Sequence, residues 1–186
     1  PDEFVRTITE ILEQVYLAPG DEEELIRILD RRLGVSRDPE EQVELLVRIS
    51  QLRATQGRVD QAFAAQARAL AVAPYREEVA AGLAALTSQH GKWTELIAAL
   101  ETALATGPDP DVRIRLLRQA ASVALQQLGD GAQAEGFLRR LLAIDPTDEA
   151  ALDSLEGCLR QRGSHAQVVE VLRQKVELAA TPARRI

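Results

Sequence analysis

Residues 37–74 read RDPEEQVELLVRISQLRATQGRVDQAFAAQARALAVAP, and this stretch decides the fold. Asp38 before Pro39 is a helix start: the carboxylate can cap the free amides, and proline at the first helical position lacks only an N–H that had no partner anyway. Leu45, Ile49 and Leu52 then recur at the three- and four-residue spacing that puts them on one helical face. Gly57 supplies the sharp stop. A second helix follows, with Ala62 and Ala69 on one side, and Pro74 ends it. Two helices, about 39–56 and 59–73, joined by so short a turn must run antiparallel. Small side chains at Ala62 and Ala69 let the pair close to roughly 8–10 Å.

Working outward, the chain matches itself at a shift of about 72 residues. EELIRILDRRL (Glu23 to Leu33) matches TELIAALETAL (Thr94 to Leu104) and, more loosely, AQVVEVLRQKV (Ala166 to Val176). RDPEEQVELLVR from Arg37 matches PDPDVRIRLLRQ from Pro108, and ALAVAPYREEVAAGLAAL from Ala69 matches LLAIDPTDEAALDSLEGC from Leu141. Asp109–Pro110 repeats the start signal of Asp38–Pro39, and Asp21 with Glu24 resembles a capping box. Gly20, Gly57, Gly91, Gly129 and Gly163 mark helix ends. Ten helices are expected, at about 2–18, 21–34, 39–56, 59–73, 75–90, 92–106, 110–128, 131–144, 147–162 and 165–180. No strand signal competes. The expected fold class is all-α: an α-solenoid of about five antiparallel helix pairs, about 2–34, 39–73, 75–106, 110–144 and 147–180, in one repeat domain over 1–186. The chain opens on Pro1, residues 1–20 fit the second pair of a long unit, and Pro182 to Ile186 fit the helix start at Pro110 to Ile114. It therefore reads as a window excised from a longer array.

Composition narrows the function. Apolar residues make up 46% of the 186, enough for a core, so intrinsic disorder is excluded. A single cysteine cannot staple a fold or build a multi-cysteine zinc module. The net charge is −7, with pI near 5.0 and no basic block, which argues against nucleic acid as a partner. No apolar run approaches a membrane span and no signal-peptide pattern opens the chain, so no membrane insertion and a cytoplasmic location are expected. Aromatics are only 3%, so the core must be made of Ala and Leu at close helix spacing. Arginine outnumbers lysine 20 to 2, the usage of a GC-rich bacterial genome.

Catalytic signatures are absent. No GxSxG, HExxH, GxxxxGK or post-strand GxGxxG occurs. The LGDGAQAEG stretch around Gly129 and Gly131 reads as a turn and helix start rather than a phosphate cradle, having neither lysine nor strand. The acids of DPTDEAALDSLE from Asp145 lack calcium-loop spacing and suit a helix N-terminus. His90 and His165 have no Cys or His at ligand spacing, so no metal and no cofactor is expected. Cys158, in register with Leu86, reads as a small buried hydrophobe, and Trp93 as packing against the preceding helix. The chain is not expected to be an enzyme.

The helix pairs resemble tetratricopeptide repeats. The pair 43–74 carries Leu46, Ile49, Ser50, Gly57, Ala62, Ala69 and Pro74 at the pattern positions. The pair 77–108 keeps Leu83, Ala84, Gly91, Ala103 and Pro108 but has Leu96 where the first alanine belongs. The pair 115–146 keeps Ala121, Ser122, Ala134 and Pro146 but has Leu141 for the second. Spacings of about 34 and 37–38 alternate, so the repeats are degenerate. The resemblance implies a right-handed superhelix whose groove is lined by the first helix of each pair. Carried over, the groove positions are Glu10 and Gln14; Glu44, Val47 and Gln51; Glu78 and Ala85; Gln119, Val123 and Gln126; Asp153 and Arg160. The basic clamp with which such repeats hold C-terminal carboxylates is missing, so a neutral to basic protein or peptide partner is implied. The expected function is a non-catalytic interaction scaffold, monomeric or weakly self-associating; the alternatives are a regulatory or substrate-presenting segment of a larger enzyme, or a self-assembly module.

Overall fold

The computed structural model of the protein describes residues 7–9, 11, 12 and 21–180. Residues 7–9, 11 and 12 are helical; the rest of the helix expected over 2–18, and the segment Pro182 to Ile186, lie outside the described residues. Nine further helices follow among the described residues: α1 (Glu22–Val35), α2 (Pro39–Thr55), α3 (Val59–Val72), α4 (Glu77–His90), α5 (Trp93–Ala105), α6 (Pro110–Gln126), α7 (Gly131–Leu142), α8 (Glu149–Gln161) and α9 (His165–Ala180). Among the described residues the protein is all-α, built of consecutive helices packed against one another. It divides into two compact units, Pro1–Thr106 and Gly107–Ile186.

The start signals act through specific atoms. Asp38 is the N-cap of α2, and its carboxylate accepts the Glu40 amide at 3.1 Å with Pro39 in the first turn. Asp109 occupies the same place before α6 but makes no side-chain cap bond. The capping box expected at Asp21 and Glu24 does not form. Asp21 has a backbone ψ of 13°, not the extended value that aims a cap side chain at the amides. Glu24 instead pairs with Arg27 at 2.5 Å. The helices expected from 75 and 147 begin at Glu77 and Glu149, because residues after Pro74 and Pro146 form turns first. Gly91 closes α4 with φ at +69°, and its amide reaches Thr87 O at 2.8 Å, satisfying one of the carbonyls a helix end leaves open.

In the first unit α1 packs on α2, α2 on α3, and α3 on both α4 and α5. Leu25, Ile26 and Leu29 of α1 meet Leu45 and Ile49 of α2 and Ala65 of α3, with Leu33 and Leu52 against the edge. Ala62 and Ala69 are fully buried, as close helix approach requires. Ser50 donates to Ala62 O at 2.9 Å across the α2–α3 contact, so the one polar residue of this stripe is satisfied. In the second unit α6 packs on α7, α7 on α8, and α8 on α9. Its core carries Leu116, Leu117, Phe137, Leu138, Leu141, Leu152 and Leu159.

Candidate functional site

Each first helix has a packing stripe and a solvent arc. On α2 the stripe is Leu45, Leu46, Ile49 and Ser50, leaving Glu44 and Gln51 exposed and Val47 half-buried. On α4 Val79, Leu83 and Thr87 are buried, while Glu78 and Ala85 are exposed. These positions therefore sit on the solvent arcs of the first unit. Glu78 is not a bare charge, since Arg76 Nε lies 3.1 Å away.

In the second unit the expected positions on α6 need correction. Val123 is only 8% exposed and Gln119 is half-buried; Gln126 alone is exposed. The buried residues Leu116, Leu117, Ala120 and Ala121 stand 71 residues after Leu45, Leu46, Ile49 and Ser50, the shift at which Arg37 matches Pro108. In that register Val123 corresponds to Leu52, a packing residue. The positions equivalent to Glu44, Val47 and Gln51 are Arg115, Arg118 and Ser122. Adjacent apolar pairs, Leu116–Leu117 and Ala120–Ala121, let the sequence pattern slip by one residue without a visible conflict. Periodicity could not find these arginines; the alignment of the two proline starts does.

Asp153 and Arg160 are exposed on α8, and both are committed to ion pairs. Lys175 Nζ reaches Asp153 at 2.5 Å and Glu156 at 2.6 Å, and Arg160 reaches Glu156 at 2.6 Å. Glu156 is buried, and these cations hold its carboxyl below the usual range, the Lys175 hydrogen bond most of all. Arg118 pairs with Asp148 at 2.5 Å. Arg162 pairs with Glu135, binding α8 to α7. Glu10 and Gln14 lie outside the described residues.

Two of the acids singled out for chemistry cap helices. Asp130 accepts the amides of Ala132 at 3.1 Å and Gln133 at 2.9 Å, so the start of α7 is filled by its own carboxylate. Asp148 likewise accepts the Ala151 amide at 3.0 Å and caps α8. Cys158 is buried, and that burial pushes its thiol up, away from the reactive thiolate. Trp93 opens α5 half-buried. His90 ends α4 and His165 begins α9, both exposed. Among the described residues no three His, Cys, Asp or Glu side chains gather to hold a metal ion, and no helix is long and apolar enough to cross a membrane.

No protein-family model matches the chain, and no curated protein matches it in sequence. Solved structures do match. A crystal structure of the MamA protein is similar over 97% of this chain and 95% of its own, at 18% identity and a TM-score of 0.51. A second MamA crystal structure matches over 89% of this chain and 92% of its own, at 18% identity and a TM-score of 0.50. At that identity the likeness is one of fold.

Proposed function

We propose that the protein is a non-catalytic, protein-binding scaffold built of degenerate tetratricopeptide-like repeats, and that the solvent arcs of its first helices hold the partner. The observation that carries this reading is the division of labour on α2 and α4. One arc is consumed by packing, while the other presents Glu44, Gln51, Glu78 and Ala85. A partner segment that is neutral to basic, helical or extended, suits an arc of carboxylates, an amide and a small side chain. The shape of the fold alone assigns no partner, since helical-repeat surfaces tolerate very different linings.

Crosslinking of the intact protein in its native host tests the surface directly. Crosslinks from captured partners are expected to concentrate on α2 and α4 around Glu44, Gln51 and Glu78. Changing Glu44→Arg and Glu78→Arg together should abolish capture while leaving the helical circular-dichroism spectrum intact, because both residues are exposed. Unaltered capture by that double variant refutes the assignment.

A further inference from the structure

The turn into α4 departs from its internal counterpart at two residues, and each departure works against stability. Pro146 stands 72 residues after Pro74, so Tyr75 corresponds to Thr147 and Arg76 to Asp148. Thr147 folds its hydroxyl back onto Asp145 at 2.7 Å, and Asp148 caps α8 through the Ala151 amide at 3.0 Å. Both side chains serve their own turn. Arg76 occupies the same cap place on extended backbone, with ψ at 113°, yet it makes no side-chain cap bond. A guanidinium has no acceptor for the free amides, and its charge has the wrong sign beside a helix N-terminus. Tyr75 is 52% exposed, the one large apolar side chain left so among residues 21–106. Neither capping nor packing accounts for these two residues.

What they build instead is a network between the first turns of α2 and α4. The Tyr75 hydroxyl donates to Glu40 Oε1 at 2.5 Å, and the other oxygen of Glu40 lies 3.1 Å from Arg76. Arg76 Nε in turn lies 3.1 Å from Glu78. The hydrogen bond to Glu40 pushes the Tyr75 phenol up, so it stays a neutral donor. With its proton committed, Tyr75 offers the solvent chiefly the face of its ring. Glu40 and Glu78 share the guanidinium of Arg76, which leaves the two carboxylates half-neutralised. Glu44 is exposed one turn along α2 from Glu40. An exposed aromatic face thus sits beside incompletely neutralised carboxylates, at the end where the α2 and α4 arcs begin.

We propose that Tyr75 is the anchor of the α2 and α4 surface and takes an arginine side chain of the partner, its guanidinium stacked on the exposed ring and paired with the carboxylates of Glu44 and Glu78. A guanidinium is planar and weakly hydrated, so it can stack on an aromatic face and pair with a carboxylate at once. Tyrosine is also among the residues on which interface binding energy concentrates. The inference rests on the reading that the α2 and α4 arcs hold the partner, and it names the side chain they select.

The probes are blocked alanine pentapeptides with arginine, lysine or glutamine at the centre, each titrated at millimolar concentration into the intact 186-residue protein while amide NMR shifts are followed. The arginine peptide should give saturable shifts at Glu44, Tyr75, Arg76 and Glu78, and none at the matching turn of Thr147. Lysine should bind more weakly and glutamine not at all. Tyr75→Leu, which keeps apolar bulk but removes the aromatic face, should weaken the arginine peptide's binding about threefold or more. Tyr75→Phe, which keeps the ring, should retain the preference for arginine. Tyr75 is exposed, so both variants keep their fold, which circular dichroism checks. No saturable shift with the arginine peptide overturns the proposal. So do equal binding of the glutamine peptide, equal shifts at Thr147, or arginine binding that Tyr75→Leu leaves unchanged. None of these outcomes touches the arcs as a partner surface, which stands or falls on capture by the Glu44→Arg and Glu78→Arg double variant.

Discussion

A methyl group on Gly82 would lie 2.5 Å from Gln66 Nε2, and that amide is buried and donates to Val79 O at 3.0 Å. Two effects therefore oppose each other in Gly82→Ala. Helix propensity gains up to about 1 kcal/mol, while displacing the amide leaves buried polar groups unpaired at about 1–3 kcal/mol. The second wins, and urea unfolding should show a net loss of about 1 kcal/mol. Gly136 and Gly157, with no atom within 4 Å of the added methyl, isolate the first effect. Gly136→Ala and Gly157→Ala should each stabilise by about 0.5–1 kcal/mol; equal behaviour of all three would contradict the Gln66 contact. Asp148 offers a test of charge at the same scale. Burial pushes its carboxyl up, but the Arg118 hydrogen bond and the Ala151 and Ala150 amides outweigh this and hold it below the ordinary aspartate range. A carboxyl depressed in the folded state contributes stability above its unfolded pKa of about 3.9 and loses it as pH falls through the folded value. Asp148→Asn should thus be less stable than the parent at pH 7, and the two should converge as the pH drops below about 4. A gap of unchanged size at pH 3 would show that the carboxylate charge is not what Asp148 contributes.

Between helices, the two lysines do the same work. Lys92 joins Asp60 of α3, at 2.6 Å, to Glu95 of α5, at 3.1 Å, and lies 5.9 Å from the Phe63 ring centroid. Lys175 joins α9 to Asp153 and Glu156 of α8. Lys175→Met should speed amide exchange in α9 while leaving α6 and α7 unchanged; exchange in α9 equal to the parent would make the clamp ornamental. Only the Lys92–Glu95 half of these clamps has a local spacing, i to i+3. Asp60 meets Lys92 only by packing of α3 on α5, and Asp153 and Glu156 meet Lys175 only by packing of α8 on α9, so the clamps as such were not legible in the sequence. Helix starts were legible where proline fixed them, at Pro39 and Pro110, and ends where a positive φ demanded glycine, at Gly91 and Gly163. The α6 solvent arc was misread by one residue because two neighbouring apolar columns satisfy the same period, and only burial separates Ala120 and Val123 from Ser122.

Across the molecule, each described helix packs chiefly on helices near it in sequence, so stability should be a sum of local terms rather than one global quantity. Ala62 is the sharpest place to test this. It is fully buried where α2 meets α3, beside the Ser50 hydrogen bond, with no room for three more carbons. Ala62→Leu should overpack that contact at a cost of about 1–3 kcal/mol. In a single cooperative core the loss would appear equally in every protected amide. In a chain of nearest-neighbour contacts it should appear in full in α2 and α3, in part in α1 and α4, and not at all in α8 and α9. Native-state hydrogen exchange resolves the two cases helix by helix. Uniform loss of protection would defeat the nearest-neighbour account. Graded loss would carry a functional consequence as well: a ligand on the α2 and α4 arcs would then slow exchange in the first unit and leave exchange in α8 and α9 as it was.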